Sequence, residues 1–260
     1  MSMSGKLFLC ATPIGNLEDI TFRVLRTLKE VDLIAAEDTR NSIKLLNHFD
    51  IHTPMTSYHE YNKIDKARTL IEKMQQGQNI ALITDAGTPG ISDPGEELVA
   101  MCYESGIEVT SLPGPAACIT ALTLSGLSTR RFTFEAFLPS DKKERKAVLE
   151  ELKNETRTMI LYEAPHRLVK TAFRSTIEEL LAYYEKEEPK GECVLVIEGR
   201  SRKEMEEEAQ QEWSAMPLAE HMAYYENQGI SHKDAMKLVA KDRGVGKRDI
   251  YKLLLESDEK

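Results

Sequence analysis

Short apolar runs alternate with segments of helical period along the first 113 residues of the chain. The runs are rich in Val, Ile and Leu, and each is followed by a turn and then by an amphipathic stretch, as at residues 21–29 and 65–75. This alternation is typical of a mostly parallel β-sheet flanked by helices. We therefore expect an α/β fold with strands at residues 6–12, 31–37, 79–84 and 107–112.

The pattern restarts after the polar cluster at residues 128–131. Further strands are predicted at residues 132–137, 158–162 and 193–197, and acidic helical stretches at residues 178–188 and 203–212. The last segment predicts two helices around a turn at residues 244–246, with Ser231 as an N-cap. We expect an N-terminal α/β domain (1–113), a second α/β domain (114–228) and a basic helical extension of the second domain (229–260).

Composition excludes several classes of protein. The chain has 260 residues, is 41% apolar and carries a net charge of −9, so it is too apolar for disorder and too acidic to be coated with nucleic-acid-binding charge. The uncharged stretch 109–129 is broken by prolines and glycines and does not predict a membrane span. The N-terminus lacks the pattern of a secretory signal, so a cytoplasmic location is expected.

The sequence DAGTPGISDPG, residues 85–95, places three glycines and two prolines directly after a predicted strand. Glycine allows the backbone to approach a ligand closely. Asp93 before Pro94 predicts the N-cap and first residue of a helix, whose N-terminus would favour an anion. Similar loops at residues 12–21 and 112–120 would converge at the carboxyl edge of a parallel sheet, where ligands bind. We expect a ligand site there; a simple tight turn is the alternative.

Other segments of the chain suggest other chemistries. Glu37 and Asp38 lie about 20 residues after the first loop, which is the spacing of a nicotinamide-binding site. No GxGxxG follows the first strand, however. A carboxylate in this segment that forms an ion pair with Arg40 is the alternative explanation. His48 and His52 have helical spacing without an evident third ligand, so we expect no metal. The segment SYHEYN, residues 57–62, offers either a general base or a polar loop.

The segments TPIGNLEDIT, AEDTR, SYHEYN, DAGTPGISDPG, LPGPAA and YEAPHR, in this order, resemble ribosomal RNA methyltransferases of the tetrapyrrole methylase superfamily. The resemblance covers residues 6 to about 171 and about 176 to 255. It implies a homodimer of two-domain α/β subunits that binds S-adenosyl-L-methionine in the cleft between the domains. The implied reaction is methylation of the ribose 2′-oxygen of a cytidine in 16S rRNA of the small ribosomal subunit, without a metal.

The resemblance also assigns residues by position. Its cofactor contacts fall on Pro13, Asp85, Ala86, Gly87, Thr88, Ile91, Ala116, Ala117, Tyr162 and Glu163, with Asp85 and Asp93 shaping the glycine loop. For the reaction we predict His59 as base, oriented by Glu60, with Asp38 or Arg167 nearby. A locally basic C-terminus is expected to bind RNA through Lys233, Lys237, Lys241, Arg243, Lys247 and Arg248.

One departure from the family pattern lies between residues 171 and 176. Roughly two dozen residues are absent there, and because loss of an interior strand would open a sheet, we expect that the complete protein contains them. An intact mass above 29.4 kDa would test this. Two alternatives to rRNA methylation stay open: a methyltransferase of the same fold that acts on a small molecule such as a tetrapyrrole, and a ribosome-binding relative with impaired catalysis.

Overall fold

The computed structural model describes residues 4–163 and 193–258. Its strands are β1 (Lys6–Cys10), β2 (Leu33–Ala36), β3 (Met55–Ser57), β4 (Ile80–Ile83), β5 (Glu108–Leu112), β6 (Phe132–Phe137), β7 (Thr158–Glu163) and β8 (Cys193–Ile197). Its helices are α1 (Phe22–Glu30), α2 (Thr39–His48), α3 (Lys63–Gln75), α4 (Gly95–Glu104), α5 (Ala117–Ser125), α6 (Lys142–Leu152), α7 (Arg202–Ala215), α8 (Leu218–Glu226), α9 (His232–Asp242) and α10 (Lys247–Asp258). The helical stretch predicted at residues 178–188 and the join near residue 171 lie outside the described residues.

Internal contacts divide the chain into two compact units. The first comprises Met1–Asp141 and Met159–Ile197, and the second comprises Lys142–Thr158 and Glu198–Lys260. The expected boundary between the two α/β domains, at residue 113, lies inside the first unit. The packing of α5 on β8 holds both sheets together in that unit. The domain boundaries drawn from the sequence stay a prediction.

The first unit contains a five-stranded parallel sheet in the order β3-β2-β4-β1-β5. In its centre Leu7 lies opposite Ile80 on one side and Val109 on the other. The predicted α/β class and the four predicted strands are confirmed. Because neighbouring strands run the same way, the loops that follow them lie at one edge of the sheet.

Helices cover both faces of this sheet. On one face Ile80 and Leu82 pack in a cluster with Leu70 of α3 and Leu98 of α4. On the other face alternate residues of the same strand, such as Ile83, join a cluster with α1. The burial of every residue of β4 explains why the strand is a continuous apolar run rather than an alternating one.

A second, three-stranded sheet in the order β6-β7-β8 belongs to the first unit. β7 and β8 are antiparallel, and Tyr162 lies opposite Val194. Cys118 and Leu122 of α5 pack against Ile160 of β7 in a small apolar cluster. This contact brings the loop before α5 close to the end of β7.

The second unit contains α6 and the four C-terminal helices, α7 to α10. Its apolar core is formed by Met222, Met236, Val239, Ala240 and Ile250. The hydroxyl of Ser231 accepts a hydrogen bond from the Asp234 N–H, which confirms the predicted N-cap. Each described helix of the chain is too short or too polar to cross a lipid bilayer.

A buried polar network lies among these helices. The His221 ring is fully buried and stacks on Trp213, with 4.2 Å between the ring centroids. Arg243 Nε donates to His221 Nδ1 at 3.2 Å, and the other side of the ring places Nε2 3.2 Å from Asp242 Oδ2. A ring that accepts at Nδ1 carries its proton on Nε2, so this network holds a neutral imidazole. Burial lowers the pKa of His221, and the Asp242 hydrogen bond opposes that shift.

Candidate functional site

The loops after β1 and β4 are joined by their backbones. Thr12 N–H donates to Gly87 O at 2.9 Å, and Gly87 N–H donates back to Thr12 O at 3.0 Å. The buried Thr12 hydroxyl also donates to Thr84 O at 3.1 Å. These bonds fix the glycine loop against the end of β1, which is its neighbour in the sheet.

The loop after β5 closes on the same point. The Thr88 hydroxyl donates to Pro115 O at 2.9 Å. Gly87 has a φ of +88°, and a Cβ at this position would lie 3.4 Å from Ile14 Cγ2. Glycine is favoured here by the positive φ, whereas a Cβ would make only ordinary van der Waals contact with Ile14. Three loops from adjacent strands therefore converge, as the sequence predicts.

Asp93 holds the glycine loop in its bent path. Its carboxylate accepts the N–H groups of Gly90 at 2.8 Å, Ile91 at 3.2 Å and Gly95 at 2.7 Å. Burial raises the pKa of Asp93, and the three N–H donors oppose that shift. The helix begins one residue later than predicted: Pro94 occupies the N-cap position, and α4 starts at Gly95. The Asp93 side chain still receives the Gly95 N–H, so its predicted role in shaping the loop agrees with these contacts.

A cavity of about 410 Å³ opens beside the three loops, entirely within the first unit. Pockets for small-molecule ligands typically measure about 300–1,000 Å³. Both sheets contribute to its lining, which consists of Ile14, Glu37, Thr84, Asp85, Ala86, Gly87, Thr88, Ile91, Ser92, Asp93, Ala116, Ala117, Phe137, Tyr162, Cys193 and Val194. The cavity is large enough for one cofactor-sized molecule.

The two sides of the cavity differ in character. Phe137 and Tyr162 meet edge to face with 5.4 Å between their ring centroids and form an aromatic wall. Across from the second sheet lie carboxylates, among them Asp85, which accepts a hydrogen bond from Asn41 Nδ2 at 3.3 Å. The cavity thus combines an apolar aromatic surface with groups that attract a cation or bind hydroxyls.

Eight of the ten residues assigned to the cofactor line this cavity: Asp85, Ala86, Gly87, Thr88, Ile91, Ala116, Ala117 and Tyr162. Pro13 and Glu163 are instead the sequence neighbours of lining residues. Sequence reasoning missed Ile14, Glu37, Thr84, Ser92, Phe137, Cys193 and Val194 as site residues. The sequence marks Glu37 only by its spacing of about 20 residues from the first loop, and Phe137 only as the last residue of a predicted strand. The cofactor assignment itself stays a prediction.

Asp38, predicted near the catalytic centre, caps α2 and pairs with Arg40. Its carboxylate accepts the Arg40 backbone N–H at 2.8 Å and lies 2.7 Å from Arg40 Nη2. The side-chain hydrogen bonds from Arg40 lower the pKa of Asp38 to about 2. The structure therefore contains the Arg40 ion pair that the sequence offered as the simpler explanation of this carboxylate.

His59 and Glu60 lie on the turn after β3. The Glu60 carboxylate pairs with Lys63 Nζ at 2.7 Å. The His59 ring is contacted instead by Asn62, whose Nδ2 lies 3.3 Å from His59 Nε2. His59 Nδ1 is buried and has no hydrogen-bond partner among the described residues. None of these side chains lines the cavity. Arg167, the remaining catalytic candidate, lies outside the described residues.

The basic residues predicted to bind RNA fall into two groups. Lys233, Lys237, Lys241 and Arg248 are exposed and Lys247 is half-buried. Arg243 is directed inward instead: besides its bond to His221, its Nη2 donates to Met216 O at 2.5 Å. Two nitrogens of its guanidinium, Nε and Nη2, are thus used inside the helical unit, and its assignment to RNA binding stays a prediction.

The histidine, cysteine and acidic side chains of the described residues do not gather into a metal site. Within residues 4–163 and 193–258, no cluster of three or more His, Cys, Asp or Glu side chains has the arrangement of a metal site. The two histidines with helical spacing have different partners. His52 pairs with Asp50 at 2.8 Å, and the His48 ring packs edge to face on Phe49.

Comparison with known proteins extends these observations. Residues 6–229 match the family model of tetrapyrrole (corrin/porphyrin) methylases. A protein of Halalkalibacterium halodurans named ribosomal RNA small subunit methyltransferase I is 46% identical, covering 96% of this chain and 94% of its own length. Proteins of the same name from Synechocystis sp. and Bacillus subtilis are 44% and 43% identical, over 97% and 96% of this chain and 98% and 96% of their own lengths.

Two solved structures share the fold at 16% identity. Uroporphyrin-III-C-methyltransferase from Thermus thermophilus superposes with a TM-score of 0.51, covering 74% of this chain and 94% of that protein. Diphthine synthase gives a TM-score of 0.52 over 65% and 67% of the two chains. These likenesses support the α/β class and the tetrapyrrole methylase fold expected from the sequence.

The alignments also bear on the stretch expected to be absent. The match to the Halalkalibacterium halodurans protein spans 274 positions, whereas 96% of this 260-residue chain is about 250 residues. About 24 positions of that alignment therefore have no counterpart in this chain. The number agrees with the size of the missing stretch inferred from the family pattern.

Proposed function

The chain belongs to the tetrapyrrole (corrin/porphyrin) methylase family, and on this premise we propose that it methylates the ribose 2′-oxygen of a cytidine in 16S rRNA of the small ribosomal subunit. The proposed methyl donor is S-adenosyl-L-methionine. Relatives that are 46%, 44% and 43% identical carry the name ribosomal RNA small subunit methyltransferase I. Membership of a methylase family by itself implies a methyl donor; the donor's identity and the target atom belong to the proposal.

The observation that carries the proposal is the cavity assembled by the three loops. Its size suits a single cofactor, and Gly87, which lines the cavity without a side chain, lets a ligand lie close to the backbone. Exposed loop atoms suit the methionine end, the aromatic wall suits the adenine ring, and the carboxylates Glu37 and Asp85 suit hydroxyl and cationic groups. The residues present thus fit S-adenosyl-L-methionine.

When bound, this cofactor supplies a methyl group on a positively charged sulfur. The chain's own contribution is to orient and to exclude water. The loops after β1, β4 and β5 are fixed to one another by hydrogen bonds, so their positions are set before a ligand arrives. Phe137 and Tyr162 cover the second side of the cavity. Preorganisation of this kind lowers the barrier because reacting groups are already placed.

A ribose hydroxyl is a poor nucleophile until its proton is removed. We propose His59 as the group that takes this proton, since it lies at the carboxyl edge of the sheet, on a turn tied to the glycine loop by the Tyr58 hydroxyl, which donates to Pro94 O at 2.9 Å. The contact between Asn62 and His59 Nε2 must open for that nitrogen to act. A positioned base contributes roughly 10²–10⁴ in rate.

Glu37 is the competing base, because it lines the cavity itself. Replacing each residue separately distinguishes the two, with turnover measured at saturating RNA and cofactor. If His59 is the base, His59→Ala lowers kcat by about 100-fold or more while Glu37→Gln keeps most of it. The opposite result would move the assignment to Glu37.

Several further parts of the proposal concern partners. The exposed lysines of α9, together with Lys247 and Arg248 of α10, are proposed to contact rRNA phosphates. A homodimer in the cytoplasm is proposed as the working form. Because the whole chain carries −9, we expect recognition of the folded ribosomal particle rather than of free oligonucleotides.

The function is tested with purified protein, labelled S-adenosyl-L-methionine and small subunits that lack the modification. The expected result is one methyl group per subunit, recovered as 2′-O-methylcytidine after digestion of the RNA. Transfer to a tetrapyrrole and not to RNA would replace the proposal by the small-molecule alternative. Binding to the subunit without transfer of a methyl group would identify a ribosome-binding relative with impaired catalysis.

A further inference from the structure

Tyr61 presents almost its whole side chain to solvent. It is 97% exposed, more than any of the other large apolar side chains that are exposed among the described residues. Single exposed aromatic residues are common on protein surfaces and need no explanation by themselves. Tyr61 differs from such residues because it lies on a hydrogen-bonded turn at the edge of the sheet where the cavity opens.

The turn that carries Tyr61 is rigidly built. Asn62 Oδ1 accepts the His59 backbone N–H at 2.9 Å, and the Asn62 N–H donates back to His59 O at 3.0 Å. Asn62 Nδ2 also lies 3.4 Å from Ser57 Oγ. The turn is thereby held to both β3 and its own flanking residues. The backbone of such a turn is already ordered, so only the side chain of Tyr61 loses conformational freedom when a flat partner stacks on the ring.

Tyr61 lies at the edge of the sheet where the cavity opens. β3 is parallel to the other strands and is separated from β4 by β2, so its end is roughly 10 Å from the end of β4. The buried Tyr58, three residues before Tyr61, donates its hydroxyl to Pro94 O at 2.9 Å and so connects the turn to the glycine loop. The turn that carries the ring therefore lies at the same edge of the sheet as the cavity, on the side away from β5.

Two ion pairs lie on this side of the sheet: Asp38 is 2.7 Å from Arg40, and Glu60 is 2.7 Å from Lys63. The carboxylates of Glu96 and Glu97 at the start of α4 also act on Lys63, so the net charge near the turn is negative. This side therefore favours contact with an uncharged base over contact with RNA phosphates.

From these observations we infer that Tyr61 is a stacking platform for a base of the RNA, either that of the target cytidine or that of its neighbour. The inference rests on the proposed function. RNA loops and unstacked nucleotides are commonly bound by stacking on exposed aromatic rings, and stacking leaves the ribose hydroxyls free. A base held on Tyr61 would leave its ribose directed at the cavity edge, where a methyl group is transferred.

The experiment compares Tyr61→Ala and Tyr61→Phe with the wild type in methylation of small subunits. Tyr103→Ala is the matched control: Tyr103 is 69% exposed in the same unit but lies in the last turn of α4, which runs back toward the opposite edge of the sheet. We expect Tyr61→Ala to raise KM for the subunit about tenfold and to leave cofactor affinity unchanged. Tyr61→Phe and Tyr103→Ala should stay within about twofold of the wild type.

An unchanged KM in Tyr61→Ala would overturn the inference while leaving the proposed function intact, provided that the wild type methylates subunits. A loss in Tyr61→Phe as large as in Tyr61→Ala would also overturn it, because the hydroxyl and not the ring face would be responsible. Sedimentation of Tyr61→Ala supplies the last check: loss of a dimer would assign the ring to contact with a second copy of the chain. Absence of methylation in the wild type would remove the proposed function and the inference together.

Discussion

The cavity of the first unit and the network of the second are built from different parts of the chain. Around the cavity, backbone N–H and C=O groups, two threonine hydroxyls and the Asp93 carboxylate hold the loops. In the helical unit, the side chains of His221, Asp242 and Arg243 satisfy one another inside an apolar core. We therefore expect the loops of the cavity to be disturbed by replacement of their glycines with larger residues. We expect the helical unit to be destabilised by removal of a side chain from its network.

This difference follows from what each region is for. The loops of a ligand site must bend sharply, and glycine permits the positive φ that such bends require. A small helical unit must instead fill its interior, and buried polar groups there are tolerated only when they are paired. Mutations should therefore separate the two regions cleanly by their effects on binding and on stability.

The largest effect is expected from His221→Ala. The substitution removes a fully buried ring and leaves Asp242 and Arg243 without their shared partner, at a cost of about 3 kcal/mol. Trp213 is the single tryptophan of the chain and stacks on this ring, so its fluorescence reports unfolding of the unit directly. The control is His232→Ala, at an exposed histidine, where a change below about 0.5 kcal/mol is expected. Equal losses in both variants would contradict the role of the network.

A smaller effect is expected from alanine at positive-φ glycines. Gly87 has a φ of +88° and Gly106 a φ of +68°, so either change to alanine should cost about 1–2 kcal/mol of stability. Only Gly87 lines the cavity. Calorimetry should therefore find cofactor affinity reduced about tenfold in Gly87→Ala and unchanged in Gly106→Ala. Equal affinities in the two variants would mean that the cavity does not bind the cofactor.

The smallest effect concerns pH. Because burial lowers the pKa of His221 in the folded state, the unfolded chain binds its proton first as the pH falls. The stability of the helical unit should therefore be complete above about pH 6.5 and decline below it. The groups that face the ring are Asp242, Arg243 and Tyr225. The decline between pH 7.5 and 5.5, followed by Trp213 fluorescence, should be weaker in His221→Gln; an identical decline would exclude His221 as its source.

The sequence predicted the cavity side of the first sheet well, because glycine and proline mark strand ends directly. It missed β3, since the three residues Met55–Ser57 form too short a run to show alternation. It also missed Phe137 and Val194 as cavity residues, because only the packing of α5 on β8 brings the second sheet to the loops.

Two side chains make contacts that the sequence does not predict. Arg243 belongs to the basic C-terminus by sequence, and its guanidinium bonds to Met216 O and His221. Glu60 follows His59 in sequence, and its carboxylate pairs with Lys63. Residue type and spacing give the charge of a segment, whereas the direction of each side chain depends on which partners the tertiary fold supplies.

Hydrogen exchange with and without S-adenosyl-L-methionine tests most directly the claim that the backbone loops of the first unit form the cofactor site. Binding should slow exchange in peptides that cover residues 85–95 and 113–117 and should leave α7 to α10 unchanged, because all the lining residues of the cavity belong to the first unit. Protection confined to the helical unit, or no protection at a saturating concentration of the cofactor, would contradict the account.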